Sequence, residues 1–194
     1  HVAAGMIGAG RTGHALVLAS EVENNTPASG YPRNGISESG SALLLSASPG
    51  PDGFGRFVFG HHPEYRGALH TYTQQRDGRT WLRIDRDPNL AAVYLNCIPS
   101  TVKELLTLEG LEATDIAVVF PPHLPAGAVN DLAARLDIAR SRFVDLDGEH
   151  DPFTSSLPYG LTQARRRGLV QPGDVGLIIA VGSGVEVGCA TYRF

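Results

Sequence analysis

The sequence predicts an α/β architecture in which some strands pair in parallel. Three observations carry this. Apolar runs of strand length alternate with helical stripes through the second half of the chain. The 23 glycines and 13 prolines supply many turns and close backbone approaches. The 194 residues are 42% apolar and 19% charged, enough to bury a core.

The elements follow in order. Val2, Ala3, Met6 and Ile7 recur at helical spacing until Gly8 and Gly10 break the pattern. His14–Ser20 (HALVLAS) and Ser41–Ala47 (SALLLSA) read as buried strands, separated by an Asn/Pro/Gly/Ser-rich loop over 24–40. Residues 64–87 alternate around Tyr72, Trp81 and Ile84, which predicts strands with one face in solvent. Leu90, Val93, Tyr94, Ile98, Val102, Leu105 and Leu106 form a helical stripe ended by Gly110, with Pro99 a kink or a helix start inside it. Beyond it the pattern gives a strand at 116–120, a helix at 126–136, a strand at 143–146 and a helix at 154–167. That helix is closed by Arg165-Arg166-Arg167-Gly168, basic side chains that complement the helix dipole. Two strands, 175–181 and 185–192, are joined by Gly182-Ser183-Gly184.

A net charge of −4 argues against nucleic acid as the main partner, and no apolar run is long enough to span a membrane. Two cysteines, Cys97 and Cys189, are too few for a disulfide framework and point to a reducing, cytoplasmic compartment. Gly8-Ala9-Gly10-Arg11-Thr12-Gly13 fits the GxGxxG string of dinucleotide folds. Here a helix precedes it and a strand follows, the reverse of what pyrophosphate binding needs, so it reads as a turn. His61, His62 and His70 lack metal-ligand spacing and read as solvent-facing; no metal or cofactor is expected. Asn24-Asn25-Thr26 is a formal glycosylation sequon with nothing beside it to suggest secretion.

His123 follows Pro121-Pro122 at the carboxyl end of the strand over 116–120, where open α/β sheets place ligands. Asp151 holds the matching place after the strand over 143–146. A histidine and a carboxylate on neighbouring strand ends suit a base and its orienting partner. Gly182-Ser183-Gly184 offers backbone N–H groups to an oxyanion. The alternatives are loop histidines and Asx-turn aspartates with no catalytic role.

The run from Gly168-Leu169-Val170-Gln171-Pro172-Gly173-Asp174 through Val181-Gly182-Ser183-Gly184 to Gly188-Cys189-Ala190 and Arg193-Phe194 resembles the end of β-ketoacyl-acyl-carrier-protein synthase III enzymes. Pro122-His123 before a helix, Thr154-Ser155-Ser156-Leu157-Pro158, and Ser39-Gly40-Ser41-Ala42-Leu43-Leu44 resemble other segments of that family.

The resemblance implies a thiolase-like fold layered α-β-α-β-α. Residues 1–85 would be the remainder of its amino-terminal half with a loop/strand insertion, and 86–194 the carboxyl-terminal half. It implies a homodimer, a partner that is acyl-CoA or acyl carrier protein, and a Cys-His-Asn site serving fatty-acid or polyketide synthesis. His123 matches the family histidine. Asp151 stands where the asparagine belongs, counting back from Pro158, with His150 the alternative; Gly182, Ser183 and Gly184 support the oxyanion. The nucleophile cysteine belongs on the helix that His1–Gly10 finishes and is expected before His1, so this chain alone is expected to be inactive. An ionised carboxylate only accepts hydrogen bonds, where an amide also donates. Asp151 therefore favours base-assisted transfer of the acyl group to a hydroxyl or amine over condensation with a malonyl thioester. Two other readings stand beside this acyltransferase: a non-catalytic ketosynthase-like subunit, and a generic α/β binding domain.

Overall fold

The elements run α1 (Val2–Gly8), β1 (His14–Glu21), β2 (Ser39–Ser46), β3 (Gly53–His61), β4 (Leu69–Arg76), β5 (Arg79–Arg86), α2 (Leu90–Glu109), β6 (Ile116–Phe120), α3 (Ala126–Leu136), α4 (Ser156–Arg166), β7 (Val175–Gly182) and β8 (Glu186–Arg193). The computed structural model describes residues 1–23, 34–146 and 151–194. Asn24-Asn25-Thr26 and His150 lie outside the described residues.

A four-stranded sheet in the order β3-β8-β7-β6 organises the molecule, with β6 parallel to β7 and the other pairs antiparallel. The expected parallel pairing is thus present. Alternation along β7 sends Leu177 and Ile179 to one face and Ile178 to the other, and each face acquires its own helical layer. On the first, Ile98, Val102 and Leu105 of α2 and Leu132 of α3 pack against Ile116, Val119, Leu177 and Val187. On the second, Ala164, Leu157 and Leu161 of α4 meet Val118, Phe120 and Ile178. Gly176 lets the rings close over this second face. A Cβ there would lie 3.0 Å from Phe194 and 3.1 Å from Phe120. An aromatic row runs from Phe120 through Phe194, Tyr192, Phe54 and Phe57 to His1. One edge strand of this sheet, β3, comes from ahead of residue 86.

Helix α2 shows how the sequence pattern and tertiary contacts divide the work. It ends on Gly110, whose φ of +66° suits a residue without Cβ, and the Leu111 N–H closes back on the Leu106 carbonyl at 2.9 Å. Pro99 lies in the interior of the helix, neither breaking nor starting it. Lacking an N–H, it leaves the Leu95 carbonyl without its helical donor. Arg135 of α3 takes that place, its Nη1 donating to the Leu95 carbonyl at 3.0 Å and to Asn96 Oδ1 at 3.1 Å.

Two expectations need correction. β1 and β2 pair antiparallel in full register, but as a separate two-stranded ribbon and not as buried strands. Elements pack on one side of it only, so Leu16, Leu18 and Leu44 are 61%, 69% and 70% exposed. The strand expected over 143–146 is reduced to one bridge, Phe143 to Val119, with the Val144 N–H on the Val119 carbonyl at 2.9 Å. Asp145 instead turns back to pair with Arg140. The segment 8–13 is, as expected, a helix-to-strand turn, with Gly10 at a φ of +66°. The alternating segment 69–86 is the hairpin β4–β5, closed by Asp77-Gly78, both at positive φ as a two-residue type I′ turn requires.

Candidate active site

β6 is buried at every position but Ala117, and Pro121 and Pro122 continue it in buried, fixed-φ backbone. His123 emerges half-buried at the carboxyl end of this parallel strand, followed by buried Leu124 and by α3 from Ala126. Its place is therefore set by two prolines before it and a core leucine after it. No hydrogen bond joins His123 to Asp151 or to any other described residue.

Asp151 sits in a loop fastened on several sides. Its backbone forms a parallel bridge with Ile36: the Asp151 N–H donates to the Gly35 carbonyl at 3.1 Å, and the Ser37 N–H to the Asp151 carbonyl at 2.9 Å. Its carboxylate Oδ1 accepts the Phe153 N–H at 2.8 Å, an Asx turn that lets Phe153 hold a left-handed φ of +51°. The Thr154 N–H donates to Glu21 Oε1 of β1 at 3.3 Å, and the Thr154 hydroxyl donates to the same oxygen. The hydroxyls of Ser155 and Ser41 of β2 are bonded at 3.0 Å. The Phe153 ring closes the arrangement against Ile36, Leu69 and Ile84.

The turn after β7 meets the same cluster from another side. Ser183 donates its hydroxyl proton to the Leu69 carbonyl at 2.6 Å, and Leu69 packs with Ile36. Gly184 adopts a φ of +115°, and the next residue, Val185, is fully buried, pinning the turn to the core. Because the Ser183 hydroxyl is committed to Leu69, what the turn can offer a developing negative charge is main-chain N–H. The structure thus joins the loop of Asp151 and the turn of Gly182, Ser183 and Gly184 through one apolar cluster. His123 comes to its place independently, by way of β6.

Tyr94 of α2 adds a group that sequence pattern cannot single out, since it reads as one more apolar position of the stripe. Burial pushes its hydroxyl up to about 12, the Asp151 charge adds to the rise, and Arg86 opposes it. Glu21 and Glu23 are likewise unreadable as site-shaping residues. Glu23 is buried and accepts the N–H groups of Asn34 at 2.6 Å and Gly35 at 3.1 Å, fixing the segment whose Ile36 bridges to Asp151. Their only sequence signal is a pair of acids bounding an apolar run.

Both cysteines are free and buried. Burial raises the Cys189 thiol to about 12; burial first and the Glu64 charge second raise Cys97. Of the three histidines read as solvent-facing, His61 and His70 are exposed. His62 departs from that reading. Its side chain is 19% exposed, its Nε2 is buried with no hydrogen-bond partner among the described residues, and its main-chain N–H donates to the Val185 carbonyl at 2.9 Å. Among the described residues no three His, Cys, Asp or Glu side chains group as a metal site, and no helix is long and apolar enough to cross a membrane.

A family model, 3-oxoacyl-[acyl-carrier-protein] synthase III C terminal, matches residues 106–194. A curated relative, β-ketoacyl-[acyl-carrier-protein] synthase III of Aquifex aeolicus, is 26% identical over 106 residues, covering 54% of this chain and 34% of its own length. The chain thus spans about a third of the length of that relative. Among solved structures, the synthase III of Thermus thermophilus has a TM-score of 0.81 at 20% identity, covering 100% of this chain and 63% of the other. The priming β-ketosynthase of the R1128 polyketide pathway gives a TM-score of 0.82 at 21% identity, covering 100% of this chain and 60% of the other. The fold is therefore the thiolase-like fold of these enzymes.

Proposed function

We propose that the chain, whose residues 106–194 match the family model 3-oxoacyl-[acyl-carrier-protein] synthase III C terminal, supplies the histidine–carboxylate part of an acyltransferase. The acyl group comes from the thioester of acyl-CoA or an acyl carrier protein. The observation that carries the reading is the placement of His123, inside the matched region, at the carboxyl end of the parallel strand β6. His123 accepts the acceptor's proton as the acceptor attacks the thioester carbonyl. Asp151, held by its own loop, serves as the carboxylate partner of that base, and the N–H groups of the turn at Gly182, Ser183 and Gly184 receive the oxyanion. The carbonyl re-forms as the thiolate leaves.

Asp151 at this position favours a hydroxyl or amine acceptor over a malonyl carbanion, because an ionised carboxylate cannot donate to a thioester oxygen. Neither Cys97 nor Cys189 is suited to receive the acyl group, since burial keeps both thiols protonated. In a protein that presents these residues beside an acyl-loaded cysteine, Asp151→Asn is expected to slow transfer to an alcohol by about tenfold or more. Transfer at the parent rate would overturn the assignment. His123→Ala is expected to abolish transfer while leaving the fold intact by circular dichroism.

The apolar face of β1–β2, with Leu16, Leu18 and Leu44 outward, supports a homodimer contact, since patches of this kind mark interaction surfaces. The free state of both cysteines supports the cytoplasm.

A further inference from the structure

A cavity of about 330 Å³ opens at the end of the sheet where β7 begins. Asp52, ahead of β3, and Arg165, in the last turn of α4, line it together with Val170, Tyr192 and Phe194. Val175 opens β7 beside Arg193, and Gly182 closes it at the candidate oxyanion turn, about 23 Å away at 3.3 Å per residue. The cavity therefore lies at the opposite end of the sheet from His123 and takes no part in the chemistry proposed above.

Its walls are held without help from a ligand. The Gly173 N–H donates to the Phe194 carbonyl at 2.6 Å, and the Phe194 N–H to the Asp174 carbonyl at 2.9 Å. Asp174 Oδ2 accepts the Gln171 N–H at 2.7 Å, which closes the turn over 171–174, and Gly173 takes a φ of +91° within it. Arg193, which also borders the cavity, directs its Nη1 to the Gly173 carbonyl at 3.1 Å. The Tyr192 and Phe194 rings meet edge to face at 5.0 Å, and Phe194 leans on Phe120 at 6.2 Å. Val170 packs in that same cluster. A preformed cleft of this kind loses little freedom when it is filled.

The fold leaves the charges of this cleft unused. Asp52 directly precedes Gly53, the register partner of Arg193, so it stands one position from a cation. Neither Asp52 nor Arg165 forms a hydrogen bond or an ion pair with any described residue. Opposite charges thus line one small cleft without neutralising each other. A molecule of one sign would meet a like charge there, and a hydrocarbon would strip water from both groups with nothing in exchange. A phosphate dianion suits Arg165 and is opposed by Asp52. What fits both is a small zwitterion with an apolar body.

We propose that this cleft binds a free α-amino acid with an apolar side chain the size of leucine or phenylalanine. Arg165 takes the carboxylate in its planar fork, and Asp52 accepts from the ammonium. The side chain lies against Val170 and the Tyr192 and Phe194 rings. The volume is at the small end for ligand clefts, which suits one amino acid and is too little for a nucleotide cofactor.

Isothermal titration calorimetry of this chain with L-phenylalanine and L-leucine tests the proposal. Saturable binding is expected for both. Hydrocinnamate, which lacks the ammonium, and phenethylamine, which lacks the carboxylate, should each bind about tenfold or more weakly. Asp52→Asn should weaken L-phenylalanine about tenfold and leave hydrocinnamate no weaker than in the parent. Arg165→Gln should weaken L-phenylalanine and hydrocinnamate alike and leave phenethylamine no weaker. Both residues are exposed and unpartnered, so the variants should keep the parent's urea midpoint. No saturation up to about 10 mM, equal binding of L-phenylalanine and either truncated analogue, or indifference to both variants would each overturn the proposal. So would binding of inorganic phosphate in place of the amino acids, lost in Arg165→Gln, for the cleft would then be an anion site.

Discussion

Arg135 donates to the Leu95 carbonyl, 3.0 Å away, which Pro99 leaves without a helical partner. An imperfection inside α2 thereby becomes a fastening between α2 and α3, the two helices that cover one face of the central sheet. Arg135→Met is expected to destabilise the fold by about 1–3 kcal/mol, since it leaves a polar group of the helix interior unpaired. In a Pro99→Ala background the same substitution should cost clearly less, because the helix can then satisfy Leu95 itself. Urea denaturation of the four proteins of this cycle measures the coupling. Additive costs would show that the arginine acts through packing alone.

The serine of the candidate oxyanion turn is expected to matter for stability through its side chain and for chemistry through its backbone. Ser183→Ala removes the donor to Leu69 and should cost about 1 kcal/mol or somewhat more in urea denaturation. If the hydroxyl itself served the reaction, acyl transfer would fall far more than this loss of stability explains.

High pH should unfold this protein through two groups. Tyr94 and Cys189 hold their protons in the folded state to about 12, above the usual values of 10.0 and 9.0. Each therefore contributes stability that is fully present below the unfolded value and lost as pH rises toward 12. Each group adds a slope of at most about 1.4 kcal/mol per pH unit in that window. Thermal denaturation between pH 8 and 11 measures it, and Tyr94→Phe should flatten the curve above pH 10 only. An unchanged slope in Tyr94→Phe would show that the hydroxyl ionises as freely in the fold as in the unfolded chain.

Native protein is expected to resist thiol labelling at both Cys97 and Cys189, which denaturant should expose together. Intact-mass measurement after incubation with acyl-CoA should find no adduct on either. An acylated Cys97 or Cys189 would assign the nucleophile to this chain.

How far the sequence alone reaches is clearest in particular elements. The stop of α2 at Gly110 and the place of His123 after two prolines follow from local chemistry: left-handed backbone and fixed φ. The ribbon β1–β2 misleads because an apolar run records a tendency to be buried and not the number of layers available to bury it. Segment 143–146 misleads because an apolar run does not say how many main-chain bonds it makes, and here there is a single bridge to Val119. The fastenings of the Asp151 loop were out of reach altogether. Thr154 meets Glu21 across 133 positions, and Ser155 meets Ser41 across 114. No period or motif encodes such a meeting.

Those long-range ties bear on how the molecule can be divided. Residues 53–194 contain the whole four-stranded sheet and both helical layers, so a protein begun at Gly53 has what it needs to form its main core. It would lack Glu21, Ile36 and Ser41, and with them the anchors of the loop that holds Asp151. A cut in the connection between β2 and β3 therefore separates scaffold from site. Modularity ends where the carboxylate begins, and a shortened protein could look native by every spectroscopic measure while its aspartate wandered.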